Sequence, residues 1–316
     1  MNNLLMAVVM LVGGFVLLIK GADYFVEGSS SVAKRLRVPS LIIGLTIVAM
    51  GTSLPECAVS ITASMSGQNA LAVSNVVGSN IFNLMVVCGF CAIFSTLPID
   101  SNTLKKEFPF SILCGVLLLV IGYMGMAVGR SDGILLLLLF ISYILYMIFS
   151  ALKAREEGQA VEEEEYEIIP VWKSIVFIVG GILAIKFGGD FVVDGAVTVA
   201  KSFGLSENLI GLTIVACGTS LPELVTSVVA AKKNEVDMAL GNVIGSNVFN
   251  ILFVLGVASS ISPIAFIMEN VIDIVILTAM SAFVWFVGWK KNNVDRKEGI
   301  IMIVLYAVYL VYICVR

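Results

Sequence analysis

Two hexapeptides, Gly51-Thr52-Ser53-Leu54-Pro55-Glu56 and Gly218-Thr219-Ser220-Leu221-Pro222-Glu223, set a carboxylate, two hydroxyls and a proline inside stretches that are otherwise apolar. Proline has no N–H and its ring clashes with the carbonyl four residues back, so each motif predicts a helix broken at mid-span, with carbonyl oxygens set free around Gly51 and its equivalent. Irregular backbone at membrane depth persists only where it is buried in protein or lines a wet cavity. The carbonyl end of the first half-helix carries a negative pole, which suits a cation. An ionised carboxylate at such a depth needs a proton or a positive charge beside it. The segments that carry the motifs contain no Lys or Arg except Lys232 and Lys233 at one end. The counter-charge must therefore be mobile, either a metal ion or a proton.

A companion motif follows each of these. In "NVVGSNIFN" the residues Asn75, Ser79 and Asn83 are four apart and share a helix face, and Asn242, Ser246 and Asn250 repeat the pattern in "NVIGSNVFN". Gly78 and Gly245 predict close helix approach, and the plainer role for Asn75, Asn80, Asn242 and Asn247 is interhelical hydrogen bonding. Ser79, Asn83, Ser246 and Asn250 are better placed to face the glutamates. Every donor in this inventory is oxygen. Calcium takes six to eight oxygens with adaptable geometry, whereas zinc or copper would ask for His or Cys. The chain has no His. Two glutamates supply a charge of about −2, which one divalent or two monovalent ions neutralise, so competition between the two kinds of ion for one cage is a basis for exchange.

The elements that must position these groups are membrane spans. The chain of 316 residues is 59% apolar and 13% charged, with a mean hydropathy of +1.03, values that belong to a polytopic membrane protein. A net charge of −4 without basic runs speaks against nucleic acid as a partner. The six cysteines all lie in apolar segments and read as packed thiols, "CGFC" at Cys88–Cys91 included. Ten windows are long enough to cross a bilayer: 4–26, 40–65, 71–97, 107–128, 133–152, 171–196, 206–231, 237–263, 270–289 and 299–315. The first lacks the basic start and cleavage site of a signal peptide and is expected to stay. All the Lys and Arg except Arg130, Lys186, Lys201 and Arg316 then fall on one side, which the positive-inside rule makes cytoplasmic, with both termini outside.

The chain also repeats itself. A gapless shift of 167 residues lays Ile43–Glu56 on Ile210–Glu223 with one mismatch, Asn75–Asn83 on Asn242–Asn250, and Asp23, Glu27 and Gly28 on Asp190, Asp194 and Gly195. Ser74 stands where the second half has Gly241, a change expected to loosen packing. Each half holds five windows, and an odd number predicts that the halves enter the membrane from opposite sides, the inverted repeat of many secondary transporters. The expected fold is all-α: residues 1–152 form the first five-helix repeat, 153–170 an acidic cytoplasmic linker without EF-hand spacing, and 171–316 the second, inverted repeat, with helices 2 and 7 broken. Asp23, Glu27, Asp190 and Asp194 are expected near helix ends as anchors or entrance residues, with Lys186 and Asp190 paired four apart.

"GTSLPE" with "GSNIFN", repeated as "GTSLPE" with "GSNVFN" across nearly the whole chain, resembles the two α-repeats of the sodium/calcium exchanger family among the cation/calcium antiporters. The resemblance implies alternating access, with the first and sixth helices sliding over a fixed core of helices two, three, seven and eight. It implies an ion-ligand set of the Ala49 and Ala216 carbonyls with Thr52, Ser53, Glu56, Ser79, Asn83, Thr219, Ser220, Glu223, Ser246 and Asn250. It also implies Na+ and Ca2+ as transported substrates, three sodium ions for one calcium, electrogenic transport, no cofactor and no catalytic residues. Potassium-dependent members carry Asp where this chain has Asn250, so potassium-independent exchange is expected, by a monomer in the cell membrane. Three rivals are weighed against this: a Ca2+/H+ exchanger on the same scaffold, a cation channel, which the internal two-fold repeat disfavours, and an intramembrane enzyme, disfavoured by the lack of His and of a zinc motif.

Overall fold

Glycine builds the most extensive helix–helix contact among the described residues. In the computed structural model, which describes residues 2–66, 69–157, 168–204 and 216–315, helix α1 (Asn2–Leu36) lies along α7 (Val171–Ser202). Gly14, Gly21 and Gly28 recur every seventh residue on α1, and Gly181, Gly188 and Gly195 do so on α7. They meet in antiparallel order. A methyl on Gly14 would stand 2.8 Å from the Gly188 carbonyl, one on Gly21 3.0 Å from the Gly181 carbonyl, and one on Gly195 2.8 Å from the Ala7 carbonyl. Small residues at heptad spacing let the two backbones touch where bilayer lipid gives no hydrophobic drive to associate.

The first broken segment follows. Helix α2 (Ser40–Thr52) meets α3 (Leu54–Met65) at a bend of 49°. Ser53 is the joint, with φ −82° and ψ 11°, and Pro55 sits in the first turn of α3, where its missing N–H costs nothing. Helix α4 (Leu71–Phe94) and helix α9 (Val236–Ile261) are the centre of the bundle, with 83% and 78% of their spanning windows buried against 33% or less for the other straight spans. Those outer spans are α1, α5 (Thr103–Gly125), α6 (Arg130–Glu156), α7, α10 (Met268–Lys291) and α11 (Arg296–Val315). Their large exposed residues, such as Leu5, Val12, Phe149, Trp172 and Val308, face the hydrocarbon that makes an all-helical chain obligatory.

Two small antiparallel sheets mark the ends of the bundle. Strand β1 (Leu97–Pro98) pairs with β4 (Asn293–Val294) at the end that gathers Lys34, Arg35, Lys105, Lys106, Lys232, Lys233, Lys290 and Lys291, here called the basic end. Strand β2 (Ala127–Val128) pairs with β3 (Ile264–Ala265) at the other. Each sheet joins a loop of the first half to a loop of the second.

Among the described residues eight straight helices are long and apolar enough to cross a membrane, and the bent α2–α3 pair makes nine. The seventh window, 206–231, falls partly outside the described residues; its visible part is the short helix Ala216–Gly218 and α8 (Leu221–Lys232). Most of the acidic segment 153–170 also lies outside them. Two expectations are corrected. Helix α1 runs ten residues past its expected end, so Lys20 lies mid-helix and not at the basic end, and Asp23 and Glu27 are inside the helix. Asp190 and Asp194 are likewise inside α7. The apolar windows end at residues 26 and 196, before the more polar stretches that hold Glu27, Lys34 and Lys201, whereas the helices continue because their backbone bonds are satisfied internally.

Candidate functional site

The two broken motifs meet back to back. Glu56, in the first turn of α3, and Glu223, in the first turn of α8, are both fully buried. Each is held by a hydroxyl from the opposite half: Ser53 Oγ donates to Glu223 Oε1 at 2.7 Å, and Ser220 Oγ donates to Glu56 Oε1 at 3.0 Å. Ser79 Oγ of α4 also reaches Glu56 Oε1, at 3.4 Å. The Thr52 hydroxyl lies 3.1 Å from both the Val48 carbonyl and Asn242 Oδ1.

Beside these bonds stand buried polar atoms that have no hydrogen-bond partner among the described residues: Glu56 Oε2, Glu223 Oε2, Thr219 Oγ1, Asn83 Oδ1 and Nδ2, and Asn250 Oδ1. Unpaired buried oxygens carry a desolvation cost of about 1–3 kcal/mol each, more when charged. Two features of the local backbone aim them. The helix widens into a π-turn at Asn83–Val87 in α4 and at Asn250–Val254 in α9, each beginning on the site asparagine. A π-turn swings its side chain off the regular face, and such turns are frequent at functional sites. Among the described residues no three His, Cys, Asp or Glu side chains gather to hold a metal. The charged part of the cluster is two carboxylates, and the rest is neutral oxygen.

A wall of amides fastens the cluster. Asn80 Nδ2 donates to the Asn247 carbonyl at 3.1 Å and Asn247 Nδ2 to the Asn80 carbonyl at 3.3 Å, a reciprocal clasp between α4 and α9. Asn250 Nδ2 donates to Asn80 Oδ1 at 3.1 Å. Asn75 Nδ2 donates to Ser60 Oγ at 3.0 Å, and the equivalent Asn242 Nδ2 to Ser227 Oγ at 2.8 Å, joining each broken helix to its neighbour.

The sequence pattern of the family described as "Sodium/calcium exchanger protein" matches residues 6–149 and 173–315. The chain belongs to the sodium/calcium exchanger family. It is a transporter, not an enzyme. The sodium/calcium exchanger MaX1 of Methanosarcina acetivorans is 31% identical over 94% of this chain and 95% of its own. Inner membrane protein YrbG of Escherichia coli is 37% identical over 82% of this chain and 81% of its own. A solved structure of the sodium-calcium exchanger NCX_Mj, soaked with Na+ and Sr2+, superposes with a TM-score of 0.85 at 33% identity, covering 98% of each chain.

In this exchanger the predicted residues largely converge. Thr52, Ser53, Glu56, Ser79, Ser220 and Glu223 join one hydrogen-bonded cluster. Thr219, Asn83 and Asn250 contribute unpartnered buried atoms. Two residues depart from expectation. Ser246 bonds Asn242 Oδ1, at 3.4 Å, and not Glu223. The Ala49 carbonyl is already engaged, by the Ser53 N–H at 3.1 Å and the Thr52 hydroxyl at 3.4 Å, because the turn Ala49–Thr52, which follows a π-turn at Gly44–Val48, is regular α-helix. Ala216 opens the helix Ala216–Gly218 next to Cys217. The sequence reading passed over Ser60 and Ser227, the partners of Asn75 and Asn242; each lies one turn after a site glutamate, on the same face, and in the same 167-residue register.

Proposed function

We infer that this chain is a secondary antiporter that exchanges Na+ for Ca2+ by alternating access. The observation that carries the reading is the crossed pair of contacts, Ser53 to Glu223 and Ser220 to Glu56, with a second, unpartnered oxygen on each carboxylate. A cage of charge about −2 built from oxygen suits one Ca2+ or two or more Na+ and is disfavoured from reorienting without them. The ligand set is Thr52, Ser53, Glu56, Ser79, Asn83, Thr219, Ser220, Glu223, Ser246 and Asn250 with the Ala49 and Ala216 carbonyls, the Ala49 oxygen exchanging its present donors for an ion. The names of MaX1 and NCX_Mj support the choice of ions.

The architecture inferred for this work is ten helices in two inverted five-helix repeats, 1–152 and 171–316, around a cytoplasmic linker at 153–170. The sheets support the inversion: shifting β1 by 167 residues gives β3, yet β1 lies at the basic end and β3 at the opposite end. The positive-inside rule makes the basic end cytoplasmic and both termini external, in the cell membrane. Exchange is electrogenic, is carried out by a monomer, and is independent of K+, since Asn250 offers no third carboxylate.

Reconstituted into liposomes loaded with Ca2+, the protein releases Ca2+ when Na+ is added outside at fixed pH, and external K+ leaves the rate unchanged. Release driven by a pH gradient alone, with Na+ without effect, would make it a Ca2+/H+ exchanger. Flux that does not saturate and needs no ion on the far side would make it a channel.

A further inference from the structure

We propose that Lys233 is a latch that holds the basic end of the transport path shut by tying α1 to α8, which makes it a positioning residue for exchange. The residue sits where α8 stops in a Schellman turn: Asn234 takes φ 64°, Glu235 N–H donates to the Ala230 carbonyl at 2.9 Å, and Asn234 N–H to the Ala231 carbonyl at 3.2 Å. Its backbone is therefore fixed to the helix that carries Glu223. From there the ammonium crosses to α1, lying 2.5 Å from Asp23 Oδ1, 3.1 Å from the Asp23 carbonyl and 4.0 Å from Glu27 Oε2. The three side chains are 20%, 33% and 32% exposed, so water screens the attraction only in part. One cation thus grips a carboxylate and a backbone oxygen of one helix at once, and α1 cannot slide along α8 without releasing both.

The repeat supplies the control. A shift of 167 residues turns Asp23 and Glu27 into Asp190 and Asp194, but it places Ser66 opposite Lys233. Asp190 is paired instead with Lys186 of its own helix, at 2.7 Å, a contact made within α7. There the acid pair lines a cavity of about 320 Å³ that continues to Thr219 and Pro222, next to Glu223. Toward the basic end α2 and α9 touch backbone to backbone: a methyl on Gly44 would stand 2.5 Å from the Met238 carbonyl, and one on Gly241 2.5 Å from the Leu41 carbonyl. One acid pair lines a cavity and takes a lysine of its own helix; the other takes a lysine from a different helix.

The latch rests on the alternating-access reading, and the test separates the two. In nanodiscs without transported ions, Lys233→Gln lowers the amide hydrogen-exchange protection of Leu41–Val48 and of the first two turns of α9 by roughly tenfold, on the order of 1.4 kcal/mol. Lys233→Arg keeps the protection, and the double variant Asp23→Lys with Lys233→Asp recovers it. In liposomes Lys233→Gln shifts the ratio of half-saturating Ca2+ at the two faces by a similar factor. Should Lys233→Gln misfold, Asp23→Asn with Glu27→Gln makes the same comparison from the other partner. Unchanged protection in a folded variant, or a swapped pair that restores nothing, overturns the latch. Absence of Na+-driven flux in the unmodified protein overturns the exchange reading and leaves the protection measurement to decide the latch.

Discussion

The two halves carry nearly the same motifs and make different use of them. In the second half Asn242 is fully buried and meets Thr52, Ser227 and Ser246; in the first, Asn75 is half-buried and meets Ser60 and the Glu56 carbonyl. Ser79 reaches Glu56, but its equivalent Ser246 turns to Asn242. Gly241 and Gly245 press on the backbone of α2, whereas Ser74, at the position of Gly241, is exposed. A repeat that folded symmetrically would hold both ends equally open or equally shut. The tighter packing lies between α2 and α9; under the alternating-access proposal the exchanged arrangement lies within a few kcal/mol of this one.

The largest effect should ignore this inequality. Glu56→Gln and Glu223→Gln are each expected to cut Na+-driven Ca2+ flux by on the order of a hundredfold or more, because removing one charge of a buried set costs about 3–5 kcal/mol, while tryptophan fluorescence reports an intact fold. A variant with normal flux would break the two-carboxylate cage. Packing comes next. Gly245→Ala puts a methyl 2.5 Å from the Leu45 carbonyl and should lower stability by about 1–3 kcal/mol in thermal melts, whereas Ser74→Ala, which gives up only the 3.4 Å bond from Asn270 Nδ2, should lose no more than about 0.5–1 kcal/mol. Equal losses at the two would mean that the halves are packed alike. Asn242→Ala, which removes the partner of Ser227 and of Ser246, is expected to destabilise by about 1–2 kcal/mol more than Asn75→Ala. The finest distinction is between Ser53→Ala and Ser220→Ala: each removes one donor to a carboxylate and should weaken apparent Ca2+ affinity about tenfold, with no more than a roughly twofold difference between them, since both glutamates serve one cage.

Much of the site was legible because its chemistry is local. A proline four residues after Gly51 and one before Glu56 defines the break without any partner, and the 167-residue register makes the second motif a copy of the first. The structure moved the joint only to Ser53. What the pattern missed was set by neighbours. The Ala49 carbonyl is engaged because Thr52 folds its hydroxyl back on the helix, a choice of rotamer and not of sequence spacing. The lengths of α1 and α7 escaped the apolar windows because the polar stretches after residues 26 and 196, with Glu27, Lys34 and Lys201, lower the hydropathy without interrupting the helix. The π-turns at Asn83 and Asn250 have no signature that an ordinary helical period would reveal.

Residue order alone determined the family, the apolar spans, the duplication and an inventory of oxygen donors with two acids among them, since each follows from composition or from periodicities within one segment. Only the tertiary structure decided that Ser53 serves the glutamate 170 residues away and Ser220 the one 164 residues back, and that Lys233 closes on Asp23 across 210 residues. Such contacts depend on how separate helices pack in three dimensions, where the energy of a buried charge is set by whatever atom lies within about 3 Å of it and not by its place in the chain.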